Sequence, residues 1–392
     1  MQKKKRIFDN TEIAFSLKND SELERAYFLF KMISIEPLVR IGTAATNFAI
    51  KAHLPIEGLI RSTVFDHFCG GVNEEDCLSV IDKMYHKGVS SVLDYSVEGK
   101  ENEKEFDAAR DKILKIIEFA EGKKAMPIAV FKPTGFGRFE LYEKMGRGDN
   151  LSKAETEEWH RVVNRFDVIC KQAKASDVAI LIDAEESWMQ DAADDLVTQM
   201  MEKYNTEKPI VFNTLQMYRH DRFDYLVEAH KKARSGNYFL GFKLVRGAYM
   251  EKENERAKEN GYRSPICVSK AATDENFNRG LAYMIENIDS MSIFAGTHNE
   301  DSSYLLMQLM AEKGILNNDP RIWFGQLYGM SDHISFNLAS QGYNVAKYIP
   351  FGPVKDVMPY LIRRAEENTS VAGQTGRELA LLTKEKARRK TL

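Results

Sequence analysis

The chain carries an unusually polar collection at the ends of its short β-rich runs: Asp94 and Glu98, Lys132, Asp183 with Glu185 and Glu186, Asn213, Lys243 and Arg246, Thr297, His298 and Asn299, Gln326 and Tyr348. Parallel barrels build their active sites from the C-terminal ends of their strands, so such a set is where chemistry would be done. Taken singly, an Asp or Asn here could equally cap a helix at a strand-to-helix junction; the set as a whole points to a site. A second constellation lies on one helical stretch, where Tyr360, Arg363, Arg364 and Glu367 are spaced i, i+3, i+4 and i+7 and share a face. That face could be a plain exposed one with an Arg363–Glu367 pair. Val357, Leu361 and Ile362, however, supply enough apolar surface to pack the helix elsewhere. Two adjacent arginines with a lysine across the barrel mouth make a clamp for a small carboxylate, because guanidinium groups grip carboxylates bidentately.

Positioning these residues requires a repeated strand-helix frame, and the pattern supplies one. Strand-like runs fall at 89–95, 127–132, 178–183, 209–213, 240–245, 292–296, 322–326 and 343–349, with amphipathic stretches between them at 155–174, 222–233, 274–288, 301–313 and 355–368. Eight such units in succession, with no G-x-G-x-x-G after the first strand, predict an α/β protein built as a closed (β/α)8 TIM-type barrel and not an open doubly wound sheet. Helical spacing over 21–54 and 75–87 predicts an N-terminal helical arm. The expected organisation is an arm over 1–88, a barrel over 89–370 and a helical tail over 371–392, with a longer excursion at 250–269.

Composition narrows the function further. With 43% hydrophobic and 29% charged residues and a formal charge of -3, mixed along the whole length, the chain has no field that would draw nucleic acid, and that partner is excluded. Cys69, Cys77, Cys170 and Cys267 are scattered without metal-ligand spacing, so no metal is expected and a reducing compartment fits. No signal or transit peptide is visible, and no apolar run reaches the roughly 20 residues of a membrane helix. The expectation is a cytoplasmic protein that meets a membrane, if at all, from its surface.

From about Phe65 to Ser370 the chain resembles proline dehydrogenase. The resemblance is carried by VFKPTGFGRFELYEK (130–144), LIDAEE (181–186), FNTLQMY (212–218), KLVRGAY (243–249), AGTHN (295–299), GQLYGM (325–330) and YLIRRAEEN (360–368). KLVRGAY followed by THN and YLIRR in that order is highly specific, and the motifs are closer in form to monofunctional and mitochondrial-type members than to long bifunctional bacterial ones. The resemblance implies a distorted (β/α)8 barrel holding FAD over the strand ends. It further implies oxidation of L-proline to 1-pyrroline-5-carboxylate, with the electrons passed to a membrane quinone. No aldehyde dehydrogenase domain follows, so a separate pyrroline-5-carboxylate dehydrogenase would act downstream. The site of action it suggests is the cytoplasm with peripheral contact at the inner membrane, on the matrix side in a eukaryotic source.

Carried over by position, the resemblance assigns Lys132, Arg363 and Arg364 to the substrate carboxylate and Asp183 to the floor of the site. Ala248, Tyr249, Leu327, Tyr348 and Tyr360 would wall in the pyrrolidine ring. Asn213, Lys243, Arg246, Gly247, Ala248, Lys270, Thr297, His298, Asn299 and Gln326 match cofactor-contacting positions, and Glu98 would pair with Arg363 as a gate. Two positions depart from many bacterial members: Lys243 stands for an arginine and Asn213 for a glutamine, which keeps hydrogen bonding. A bulky phenol at Tyr348 argues for proline over 4-hydroxyproline. Three other readings stay open: a 4-hydroxyproline dehydrogenase, a folate-linked flavin reductase and an inactive barrel that senses proline or FAD.

Overall fold

The structure, a computed structural model, describes residues 6–35, 37, 39, 42–44, 57–95, 101–370 and 374–391, with residues 59, 62, 365–370 and 374 described by backbone alone. Eight strands form a closed barrel in chain order: β1 Val89–Tyr95, β2 Ile128–Phe131, β3 Ala179–Ile182, β4 Val211–Gln216, β5 Leu240–Val245, β6 Met291–Gly296, β7 Ile322–Leu327 and β8 Val345–Phe351. This is the (β/α)8 architecture that the alternation predicts. The strand sequences are runs such as Ala179–Ile182 and Met291–Gly296, apolar almost throughout, as expected of parallel strands covered on both faces.

The chain divides into two compact units. Glu98–Gly325 contains β2 to β6 and most of β7, with the connecting helices. Its helix starts are set by side chains: Asn102 caps Glu103–Ala120, and Ser152 with Glu155 forms a reciprocal capping box on Lys153–Ala175. One buried asparagine, Asn205, ties three segments together. Its amide donates to the carbonyls of Val211 (2.8 Å) and Phe239 (3.1 Å), while its oxygen accepts from the amides of Ile210 and Val211. The segment after β5, expected as an excursion, folds as the helix Met250–Asn260, whose buried Glu253 accepts from the backbone and hydroxyl of Ser187.

The other unit, Met1–Val97 with Gln326–Leu392, joins the two ends of the chain. Here β1 and β8 pair in parallel register, Val89 opposite Val345. The arm helix Asp20–Ile33 packs Leu23, Ala26 and Phe30 against Leu381 and Leu382 of the tail helix Gln374–Lys390. A second cluster sets Ile33, Phe65 and Phe68 against Val354, Val357, Tyr360 and Leu361 of the helix Val354–Ser370. Arm and tail, read from sequence as separate appendages, therefore share one core. Among the described residues no helix is long and apolar enough to cross a membrane, and no group of His, Cys, Asp or Glu is arranged to hold a metal ion.

Candidate active site

The strand ends of the unit Glu98–Gly325 bring two cations to one carboxylate. In register Phe131 lies opposite Ile182, so Lys132 and Asp183 are the next residues out on neighbouring strands. The Asp183 amide continues the ladder by donating to the Phe131 carbonyl at 2.9 Å. Lys132 Nζ stands 3.9 Å from Asp183 Oδ2, and Lys243 Nζ, from β5, donates to Asp183 Oδ1. Lys243 is only 5% exposed, and its bond to that carboxylate counters the cost of burying its ammonium. Two cations thus converge on Asp183 at the strand ends, a grouping of the kind that receives an anionic group of a ligand.

Beside this group Glu185 organises a buried network. It accepts from Thr134 Oγ1 (2.7 Å) and from the Tyr249 hydroxyl (2.9 Å), while its backbone amide donates to Gln190 Oε1 (2.8 Å). Burial pushes the Glu185 carboxyl up against the pull of Lys132. Gln216 Nε2 donates to the Glu185 carbonyl at 2.6 Å, and Gln216 Oε1 accepts from the Ala248 amide at 3.2 Å. Tyr249 and Ala248, both expected to line the site, are thus fixed through Glu185 and Gln216.

The segments after β5 and β6 supply five more of the expected residues. Arg246 donates to Asp274 (2.7 Å), to Thr297 Oγ1 (2.8 Å) and to Ser302 Oγ (3.0 Å), and its guanidinium lies 4.5 Å from the centre of the Phe277 ring. Lys270 reaches the other Asp274 oxygen at 2.6 Å. Asn299 caps the helix Glu300–Glu312 through the Ser302 amide, and its own amide donates to Thr297 Oγ1. His298, between Thr297 and Asn299 on this loop, is half-buried.

Gly247 adopts φ +138°, and a Cβ there would lie 2.5 Å from the Tyr218 ring. Gly247→Ala is therefore expected to cost about 2–4 kcal/mol, combining backbone strain with overpacking. Urea unfolding measures this, and a native midpoint would refute it.

Within this unit, Asn213 is not brought to the set. Asn213 is 1% exposed and donates to Asp194 Oδ1 at 2.8 Å, on the helix Ser187–Tyr204, while its oxygen accepts from the Thr214 amide. It thus faces the surrounding helices. The strand continues to residue 216, and side chains alternate, so Thr214, level with Lys243, and Gln216 take the inner face instead. Gln216 was missed because β4 was expected to end at residue 213; the Gln in FNTLQMY was the available signal.

In the unit Met1–Val97 with Gln326–Leu392, Gln326 is buried and accepts from Ser335 Oγ at 2.8 Å. The Tyr328 amide donates to the Tyr348 carbonyl at 2.8 Å, which ties Tyr348 to the segment that follows Leu327. On the helix Val354–Ser370, Tyr360 is buried in the apolar cluster and the Arg364 guanidinium lies 5.1 Å from the centre of its ring. Arg363 is half-buried. Glu98 and the Glu367 side chain lie outside the described residues, so the expected pairs with Arg363 do as well.

Residues 77–377 match the family model described as proline dehydrogenase. The carbapenem antibiotics biosynthesis protein CarD of Pectobacterium carotovorum subsp. carotovorum is 34% identical over 333 residues, covering 85% of this chain and 86% of that protein. Mitochondrial proline dehydrogenase 1 of Homo sapiens is 42% identical over 232 residues, which are 58% of this chain and 39% of the human protein. In fold, the chain is similar to the crystal structure of proline utilization A from Bdellovibrio bacteriovorus inactivated by N-propargylglycine, with a TM-score of 0.72 and 21% identity. That likeness covers 97% of this chain and 41% of the other. The chain thus spans about two fifths of the human and Bdellovibrio proteins. By its motifs, its barrel and these matches, this chain belongs to the proline dehydrogenase family and is an oxidoreductase of that family.

Proposed function

We propose that this protein oxidises L-proline to 1-pyrroline-5-carboxylate with FAD as its bound cofactor, and that the electrons pass on to a membrane quinone reached from the membrane surface. The observation that carries the reading is the pair of cations, Lys132 and Lys243, that meet at Asp183 on the strand ends. Lys132 holds the substrate carboxylate, and Arg363 and Arg364 serve the same group. Charged hydrogen bonds of this kind are worth about 1.5–3 kcal/mol each, enough to select a small amino acid by its carboxylate. Holding that end also favours the neutral amine, whose lone pair is needed to expel hydride from the adjacent carbon. Tyr249, held by Glu185, and Ala248, held by Gln216, shape the pocket for the ring; Leu327, Tyr348 and Tyr360 complete it.

The residues present fit a flavin. The exposed Gly247–Ala248 backbone carries almost no side-chain bulk, and a Cβ at Gly247 would meet Tyr218. Lys243 keeps a cation among the strand ends, and Thr297, His298 and Asn299 offer polar groups on the loop after the neighbouring strand β6. Gln216 takes the role first expected of Asn213, and Gln326, Arg246 and Lys270 belong to the same set. Bound there, FAD supplies the hydride acceptor. In this reading the product goes to a separate pyrroline-5-carboxylate dehydrogenase, and Glu98 gates the site with Arg363.

Anaerobic addition of L-proline to the purified protein, following the oxidised flavin band with 4-hydroxy-L-proline in parallel, tests the reading. Bleaching by proline and little by hydroxyproline is the expected result. Bleaching chiefly by hydroxyproline would replace the substrate but keep the chemistry. Purification without flavin, or flavin that neither compound reduces, would overturn the proposal.

A further inference from the structure

The segment between β7 and the helix Asp332–Ser340 has its backbone held from three directions within the unit Met1–Val97 with Gln326–Leu392. Lys347, on β8 and 0% exposed, donates to the carbonyls of Leu327 (3.3 Å) and Met330 (2.7 Å) and to Asp332 Oδ1 (2.7 Å). The other Asp332 oxygen lies 3.0 Å from Lys18 Nζ, which belongs to the N-terminal arm and is 22% exposed in its side chain. His67 Nε2 lies 3.0 Å from the Gly329 carbonyl, which can only accept, so that nitrogen carries the proton. The His67 ring meets Phe30 of the arm helix edge-on at 5.6 Å. Gly329, at φ +77°, packs so closely that a Cβ would fall 2.3 Å from the His67 carbonyl oxygen.

We infer that Lys18 is a positioning residue for the substrate wall, acting through Asp332 and Lys347 on the backbone of residues 327–330. The inference rests on the proposed function, in which Leu327 and Tyr348 wall the substrate. An ammonium has three donors, and Lys347 gives one to Asp332 and two to the loop carbonyls. This division holds because Lys18 satisfies the second Asp332 oxygen. Without Lys18 that oxygen competes for the donors now spent on Leu327 and Met330, and the loop loosens. Burial opposes charge on both lysines. For Lys18, Asp332 together with Tyr328 and Glu378 more than offsets this and its pKa is raised, whereas that of Lys347 stays lowered. Burial also opposes charge on Asp332, but Lys18 and Lys347 hold it well below the usual carboxylate range. Burial, then Lys18, pushes His67 down to about 3, so the imidazole stays neutral beside the charged group.

Lys18→Met in the full flavin-loaded protein tests this by two readings, amide hydrogen exchange over residues 327–331 and steady-state kinetics with L-proline. The expected result is exchange faster by about tenfold or more, with KM for proline raised about threefold to tenfold and kcat nearly unchanged. Lys18→Arg should restore both. Unchanged exchange overturns the inference, and so does faster exchange with native KM, which would reduce Lys18 to a fold-stabilising residue. If Lys18→Met does not accumulate, Lys18→Gln keeps a donor without the charge and is read in the same way. Exchange does not depend on turnover, so its failure is distinct from a wild type that proline does not reduce.

Discussion

Asp183→Ala is expected to lower kcat/KM for L-proline by about a hundredfold or more and to reduce flavin content. Lys243 is buried and its ammonium is bonded to Asp183, with Lys132 Nζ 3.9 Å from the other oxygen. Removing the carboxylate breaks a buried ion pair beside a second cation, and breaking such a pair costs about 3–5 kcal/mol. Lys243 then shifts from its place, which disturbs the strand end where, in the proposed function, substrate and cofactor meet. About 2.7 kcal/mol of that loss in transition-state binding is already a hundredfold. Asp183→Asn keeps the shape and one acceptor and should fall between wild type and alanine. Lys243→Met should be milder than Asp183→Ala, because Asp183 keeps Lys132; the double variant should then cost less than the sum of the two. Stopped-flow flavin reduction, with the flavin-to-protein ratio measured alongside, provides the check. Native reduction rates in Asp183→Ala would refute the role of the carboxylate.

Arg363→Ala and Arg364→Ala should each raise KM for proline by about tenfold to a hundredfold, with a smaller change in kcat. Each would remove a charged hydrogen bond worth about 1.5–3 kcal/mol in the bound state. Arg364 also lies over the Tyr360 ring, 5.1 Å from its centre, so Arg364→Lys should not rescue: a lysine keeps the charge and loses the planar stack and the two-pronged grip. Pyrrolidine, which lacks the carboxylate, gives the control. If the arginines bind that group, the variants should lose far less activity toward pyrrolidine than toward proline. Equal losses for both compounds would mean that the arginines support the fold and not the clamp.

Much of this was legible in the sequence because the relevant signals are local. A run of four to seven apolar or β-branched residues followed by an amphipathic stretch declares itself without reference to distant chain. β1, β5 and the helix Arg222–Gly236 accordingly fall within a few residues of expectation. The strand-end positions were legible for the same reason, since a barrel places the last residue of each strand and the loop after it at one end. The exception shows the limit. β4 extends three residues beyond its expected end at 213, and alternation turns such a misjudged end into a wrong face: Asn213 looks outward to Asp194 while Gln216 looks in.

The sequence by itself determined the eight strand-helix units, the barrel they close into and the motifs that mark the family, because each is written in short-range periodicity and contiguous residues. Only the tertiary structure decided the pairings. That Asp183 answers to Lys243 as well as Lys132, that Glu185 holds Tyr249, and that Arg246 reaches Asp274 depend on where separate strands, loops and helices meet. The arm is the clearest case. Lys18 shows nothing locally to set it apart from the many other lysines of the chain, and it acquires a role because β8 brings Lys347, and the helix after β7 brings Asp332, to the same buried point. Charge pairing falls off within a few ångströms in a medium that screens it elsewhere, so its partners are chosen by the fold and not by proximity along the chain.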